Sequence, residues 1–433
     1  MRLGGGLYGR WRALVMGGTN YFSEVRLHSR PLLAAMIGLG SGLSFTVATA
    51  SIMGPHLIEE FGWSRADFAA VSSLVLVSVI SIPIIGRLAD LIGVRRTAFM
   101  GVATLPLSFV VLSAMRGDMG TYVAVIFFQT VICGATTATV YSRVVVQHID
   151  KARGLALAIV TSGPAISAAI GGPMLNELVE AQGWRAGYIA LAVFTALGGT
   201  LALLMMPAQR KSAAPAPKSQ IRRTKEDYAL IAKRRAFWIL LVAMLLCNLP
   251  HVIALSQLNL VMLENGVATA DASVMFSAFA TGSLAGRFLC GLAIDRFSPP
   301  KVAAISMGLP SVGLMLLASS FDAPVVLAAA IFIMGLSYGA EGDLLGFLVS
   351  REFEVRLYST VMGLVSASIG LSIALGAMAV SLFLRLTGAF TPFVLVCAVS
   401  VVIGGSLLLL LQKKTAPMPV KADAASLRAS SAE

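Results

Sequence analysis

The stretch Gly86-Arg87-Leu88-Ala89-Asp90-Leu91-Ile92-Gly93-Val94-Arg95-Arg96 is a polar hinge between two apolar runs, 68–88 and 98–115. Gly86 lets a neighbouring helix approach closely, and Gly93 lets the chain turn tightly. Asp90 is suited to meet a helix N-terminus or a basic partner at a membrane surface. The stretch has a second copy at an offset of 205 residues, in which Gly291, Asp295 and Lys301 stand where Gly86, Asp90 and Arg96 stand. Glu59 with Glu264 and Gly183 with Gly388 keep the same offset. The copy is imperfect: Ser298 replaces the second glycine, and Pro299 and Pro300 follow it.

Outward from these two hinges, the apolar runs form two sets. The first is 31–54, 68–88, 98–115, 121–147, 154–178 and 187–206; the second is 237–262, 272–294, 302–320, 324–348, 357–384 and 391–411. Each run has the length of a membrane-spanning helix. The sequence therefore predicts an all-α integral membrane protein with twelve transmembrane helices in two pseudo-symmetric six-helix bundles. The expected parts are a tail at 1–30, a bundle at 31–206, a linker at 207–236, a second bundle at 237–411 and a tail at 412–433. An even number of helices per half implies parallel repeats, an organisation frequent among secondary transporters.

Charge supports this map. Of the 33 Lys and Arg residues, 28 fall on one side if both tails and the linker share that side. Only Arg65, Arg116, Arg185 and Arg385 fall on the other, and Arg287 lies within a span. The positive-inside rule then predicts cytoplasmic termini in a multi-pass protein of the plasma membrane. Charged residues are 12% of the chain against 57% hydrophobic, with mean hydropathy +0.85. A soluble surface needs about twice that charge fraction. The net charge of +12 thus reads as membrane topology, and no nucleic-acid partner is expected. Cys133, Cys247, Cys290 and Cys397 all sit in apolar runs without ligand spacing, so they read as packing residues. The first thirty residues lack the compact apolar core of a cleaved signal. Leu7, Tyr8, Trp11, Leu14 and Tyr21 suit a tail lying on the membrane surface.

The 86–96 stretch resembles the signature loop of the major facilitator superfamily: Gly, three residues, Asp, two residues, Gly, then basic residues. In that family the loop gates conformation, which implies gating roles for Gly86, Asp90, Gly93, Arg95, Arg96 and, in the second copy, Asp295. Lys151-Ala-Arg153-Gly-Leu-Ala156-Leu-Ala-Ile-Val-Thr-Ser-Gly163-Pro164 is similar to the matching segment of monocarboxylate transporters and bacterial oxalate–formate-type antiporters. Phe61-Gly62-Trp63-Ser64-Arg65 also looks like the bacterial branch. The resemblance implies carboxylate cargo, moved with a proton or by exchange. Two features of those relatives are missing: the acidic, Trp-containing motif at helix 1, and a lysine inside helix 11. Gly154, Gly163, Gly171 and Gly172 partly fit a glycine pattern associated with antiporters, and equally fit plain helix packing.

Ionisable residues inside spans are costly and mark function. Arg287 lies eight residues before Asp295, about 12 Å deeper at 1.5 Å per residue. Its repeat position is Ile82. A guanidinium stays charged and grips a carboxylate with two hydrogen bonds, and the resemblance implies such a role here. A structural ion pair or snorkelling is the bland reading. Glu341 and Asp343 reach a similar depth in helix 10, and two residues apart they face different ways. Either suits proton coupling to Arg287, or a permanent pair locking helices 8 and 10. Arg143, beside Tyr141 in helix 4, reads as a second anion contact or as a gate charge paired with Asp90 or Asp150. Helix 7 offers Asn248 and His251 around Pro250, then Gln257 and Asn259. Gln129, Thr136, Thr137, Thr139, Ser44 and Thr49 are weaker candidates.

There is no hydrolytic triad, zinc spacing or phosphate-binding loop, so neither an enzyme nor an ATP-driven pump is expected, and no cofactor or metal. The sequence expectation is a monomeric secondary transporter. It moves a small organic anion by alternating access, with protons or a counter-anion and the bilayer as its other partners. The competing expectations are a proton-coupled exporter of drugs or amphipathic solutes, and a non-transporting receptor or enzyme.

Overall fold

The structure, a computed structural model, describes residues 21–64, 68, 71–207, 217–254, 258, 261, 272–319 and 323–412. Arg65, Gln257, Asn259, the side chain of Thr49 and most of both tails lie outside the described residues.

Long apolar segments leave no water for their backbone polar groups, so each must close its hydrogen bonds internally as a helix. The first bundle runs α1 (Ser29–Gly40), α2 (Leu43–Phe61), α3 (Val75–Ile92), α4 (Val94–Ser113), α5 (Met119–Ile132), α6 (Ala138–His148), α7 (Arg153–Thr161), α8 (Gly163–Gln182) and α9 (Trp184–Met205). A linker helix follows, α10 (Pro217–Lys233). The second bundle runs α11 (Arg235–Cys247), α12 (Ala272–Arg296), α13 (Pro299–Gly308), α14 (Pro310–Leu317), α15 (Pro324–Glu352), α16 (Tyr358–Thr387) and α17 (Thr391–Leu408). Several spans are two helices in line, such as α1 with α2, α5 with α6, and α7 with α8. Among the described residues nine spans are long and apolar enough to cross a membrane. The α1–α2 pair, α3 and the shorter apolar α11 occupy the three remaining places, consistent with twelve.

The interruptions have local causes. Gly42 lies where α1 meets α2, and a Cβ there would stand 2.5 Å from the Thr136 carbonyl. The Thr136 hydroxyl accepts from the Leu43 N–H at 2.9 Å, so the breaks in the first and fourth spans support each other. Thr136 is thereby a packing residue. Gly93 joins α3 to α4 at φ 92, the left-handed region that glycine alone enters freely.

The crossing that positions the site is α12 on α15. A Cβ on Gly286 would stand 1.9 Å from the Leu336 carbonyl, and one on Gly339 would stand 1.8 Å from that of Ser283. Gly282 and Gly335 meet the Phe332 and Phe279 carbonyls in the same way, at 2.3 Å each. Two small-xxx-small pairs, Gly282/Gly286 and Gly335/Gly339, therefore bring two backbones into contact. Apolar packing fills the rest, with Leu344, Leu348 and Tyr358 fully buried in one core cluster.

Candidate functional site

The two hinge aspartates do the same thing on the same face. Asp90, at the end of α3, accepts from the Ser359 and Thr360 N–H groups at 3.2 and 2.7 Å and from the Thr360 hydroxyl at 2.6 Å. Asp295, at the end of α12, accepts from the Gly154 and Leu155 N–H groups at 2.7 and 3.0 Å. Ser359 and Thr360 follow Gly154 and Leu155 by the same 205 residues that separate Asp90 from Asp295. Each carboxylate thus caps the first turn of a helix in the opposite bundle, satisfying amides that helix geometry leaves orphaned. Glycine clears the way for both contacts. A Cβ on Gly86 would stand 2.1 Å from the Ser359 carbonyl, and one on Gly154 2.4 Å from that of Gly291. This face, which carries the linker helix, is closed.

Arg143 belongs to this closure. Its guanidinium donates to Asp90 and, at 2.9 Å, to the Ala89 carbonyl. The guanidinium is thus paired with Asp90, one of the two acidic partners the sequence suggested for it. Tyr141 is fully buried, its ring packed where a Gly38 Cβ would come within 2.5 Å, so it lies in the core of the first bundle. Arg95 and Arg96 open α4, and both are exposed.

About 12 Å inward from the closed face lies a layer of buried charge. Arg287 of α12 stands 3.8 Å from Asp343 of α15, with side-chain exposures of 17% and 2%. Thr161 at the end of α7 donates its hydroxyl to the same Asp343 oxygen. The other Asp343 oxygen, Oδ2, is buried without a hydrogen-bond partner among the described residues. Thr161, Arg287 and Asp343 each lie eight residues from the charged end of their helix, Arg153, Asp295 and Arg351, so they share one level. Glu341 points elsewhere. It lies 3.3 Å from His251 Nε2, and the His251 ring meets Tyr338 edge-on at 4.7 Å. Asn248 is buried, donating to the Met244 carbonyl at 2.8 Å. The two α15 acids diverge as their spacing requires: Asp343 joins Arg287, and Glu341 joins His251. Among the described residues no group of three or more His, Cys, Asp or Glu side chains is arranged to hold a metal ion.

Sequence reading passed over Thr161, Arg87, Asp227 and Glu24 and placed Tyr21 on the membrane surface, yet all five make cross-helix contacts. Thr161 carried no signal, because a threonine in a span is ordinary. Asp227 carried a faint one, as an acid in a strongly basic linker.

The sequence profile of the Major Facilitator Superfamily matches residues 32–263 and again 251–432. The chain belongs to the Major Facilitator Superfamily. As a member it is a transporter and not an enzyme. Its relatives include human monocarboxylate transporter 11, which is 26% identical over 391 residues, covering 86% of this chain and 79% of that one. A chloramphenicol resistance protein of Streptomyces lividans is 32% identical over 200 residues, covering 45% of this chain and 49% of that one. Among solved structures, the Escherichia coli fucose:proton symporter has a TM-score of 0.70 at 13% identity, covering 89% of this superfamily member and 98% of that chain. The human organic anion transporter TETRAN has a TM-score of 0.66 at 13% identity, covering 89% and 99%. At such identities these likenesses concern the fold alone.

Proposed function

We propose that this transporter moves a small organic anion, a mono- or aromatic carboxylate, by alternating access, with Arg287 as the group that holds it. One observation carries the reading. The two carboxylates that cap helices on the linker face, Asp90 and Asp295, are duplicated at an offset of 205, whereas Arg287 and Asp343 are not: their repeat positions are Ile82 and Ala138. Alternation needs symmetric parts, and cargo needs one site. Arg287 also keeps most of its donors available, since it pairs at 3.8 Å with a single oxygen among the described residues. A carboxylate entering there replaces Asp343 as the guanidinium's counter-charge. Asp343 then gains by taking a proton, which couples a proton to the cargo; exchange for a counter-anion uses the same guanidinium. His251 and Glu341, with Asn248 beside them, form the neighbouring polar wall.

The linker face is read as cytoplasmic from its excess of Lys and Arg. The structure then corresponds to a state closed toward the cytoplasm, held by Asp90, Asp295 and Arg143. The likeness to human monocarboxylate transporter 11 agrees with anionic cargo. The likeness to the chloramphenicol resistance protein favours a second reading, drug export.

Flux in proteoliposomes separates them. Labelled monocarboxylate uptake that is lost in Arg287→Ala supports the anion reading. Unchanged uptake in that variant, or chloramphenicol movement independent of Arg287, sinks it.

A further inference from the structure

Two short helices outside the spans grip the closed face, one at each bundle interface. The first is the helical segment 21–27 ahead of α1. Tyr21, Glu24, Val25 and His28, at the spacing of one helix face, turn inward, while Phe22 and Leu27 are exposed. The Glu24 carboxylate accepts from the Asp150, Lys151 and Ala152 N–H groups at 2.9, 2.9 and 3.0 Å, all in the first bundle. Tyr21 donates to Asp295 Oδ2 at 2.7 Å, in the second bundle. One turn of helix therefore bridges the interface of α7 with α12.

The second is α10, ahead of α11. Its inward face is Thr224, Asp227, Tyr228 and Ile231, again at one-face spacing. Asp227 pairs with Arg87 of the first bundle at 2.8 Å and with Arg356 of the second at 2.6 Å. Arg87 also donates to Thr224 at 3.0 Å, and its guanidinium lies 6.0 Å from the Tyr228 ring centroid. This helix bridges the interface of α3 with α16. Arg356 follows Lys151 by 205 residues, so the two grips end on equivalent loops.

We infer that Tyr21, Glu24 and Asp227 are positioning residues of the transport cycle: the two helices are twin straps that hold the linker face shut and must release before it opens. Each strap touches both bundles, so no rigid movement of one bundle away from the other leaves its bonds intact. Asp227 is the clearer case. Its side chain is 7% exposed and stands between two arginines from different bundles, so parting them strips a buried carboxylate of one counter-charge. The inference does not rest on the identity of the cargo.

The test needs no substrate. Gln147 and Lys301 lie on the linker face, one in each bundle, with Lys301 exposed. Spin labels on Gln147→Cys and Lys301→Cys report the separation of the bundles in full-length protein in nanodiscs, the four native cysteines being buried. Asp227→Asn, and separately Tyr21→Phe with Glu24→Gln, are expected to raise the long-distance population by about tenfold, the factor that each 1.4 kcal/mol of lost contact gives. Glu354→Gln is the control, since Glu354 pairs with Arg356 within one loop and spans no interface. Should Asp227→Asn fail to fold, Arg356→Gln loosens the same strap from one side and is expected to shift the distances likewise. Distance distributions in the strap variants that match the Glu354→Gln control overturn the inference.

Discussion

Thr161 and Asp343 belong to different bundles, yet the Thr161 hydroxyl donates to the Asp343 carboxylate at the level of Arg287. The Arg287 partner is therefore also a contact across the bundle interface, one that the proposed alternating access would part. Asp343→Asn is expected to leave anion binding in place and to remove the pH dependence of uptake. Thr161→Val keeps the shape but removes a donor to that carboxylate, and is expected to alter the pH profile of uptake. Flux measured over a pH series in proteoliposomes checks both. An unaltered profile in both variants contradicts the coupling role.

Arg287→Ala is expected to weaken binding of a monocarboxylate by roughly 10- to 100-fold, since hydrogen bonds to charged groups are worth about 1.5–3 kcal/mol. Arg287→Lys is expected to recover part of this, because an ammonium keeps the charge and loses the two-pronged geometry. The thermal shift induced by organic acids reads the effect directly.

Asp90 and Asp295 cap equivalent helices, but their replacement by Asn is expected to differ. Asp90 neutralises the buried Arg143, whereas Asp295 is held by amides and the Tyr21 hydroxyl. Loss of a cap costs about 1 kcal/mol. An unpaired buried guanidinium adds about 3–5 kcal/mol. Asp90→Asn should therefore melt well below Asp295→Asn, and equal melting points would mean Arg143 finds another partner.

The α12–α15 crossing is tested by a contrast within one helix. Gly339→Val drives a side chain into the Ser283 carbonyl, while a Cβ on Gly342 meets open space. Overpacking of this kind costs about 1–3 kcal/mol. Gly339→Val is expected to lower the melting point and abolish the thermal shift given by organic acids, with Gly342→Ala near wild type.

Glu24 provides a pH prediction outside the membrane. Burial alone would push its carboxyl up, but the three backbone donors of Asp150, Lys151 and Ala152 outweigh this and hold it below the ordinary value of 4.5. A lowered folded-state value means its contribution is complete above 4.5 and is lost as pH falls through the lowered value. The strap at 21–27 should therefore persist at neutral pH and loosen only in stronger acid. Protection of the amides of 150–152 from hydrogen exchange, measured across that range, would report it.

The twelve-span pattern and the repeat were legible because lipid imposes them on every residue of a span. Asp90 and Asp295 were legible through their duplication. The pairing of Asp343 with Arg287 rather than Glu341 was not, since a divergence of about 200° says that two acids part without saying which neighbour each meets. Arg143 had two readings that only the position of α3 separates. Gly282/Gly286 and Gly335/Gly339 were in plain sight as small residues, yet their complementarity appears only when both helices are in hand. The straps were hardest. Glu24 bonds to main-chain amides, which leave no trace in residue identity.

That last property has a consequence for how the closed face tolerates change. Asp90, Asp295 and Glu24 all grip peptide N–H groups, which every amino acid but one supplies alike. Side chains at 155 and 359 can drift within the limits of space, and the grip remains. Proline, which has no N–H to offer, is the one replacement that cuts it outright.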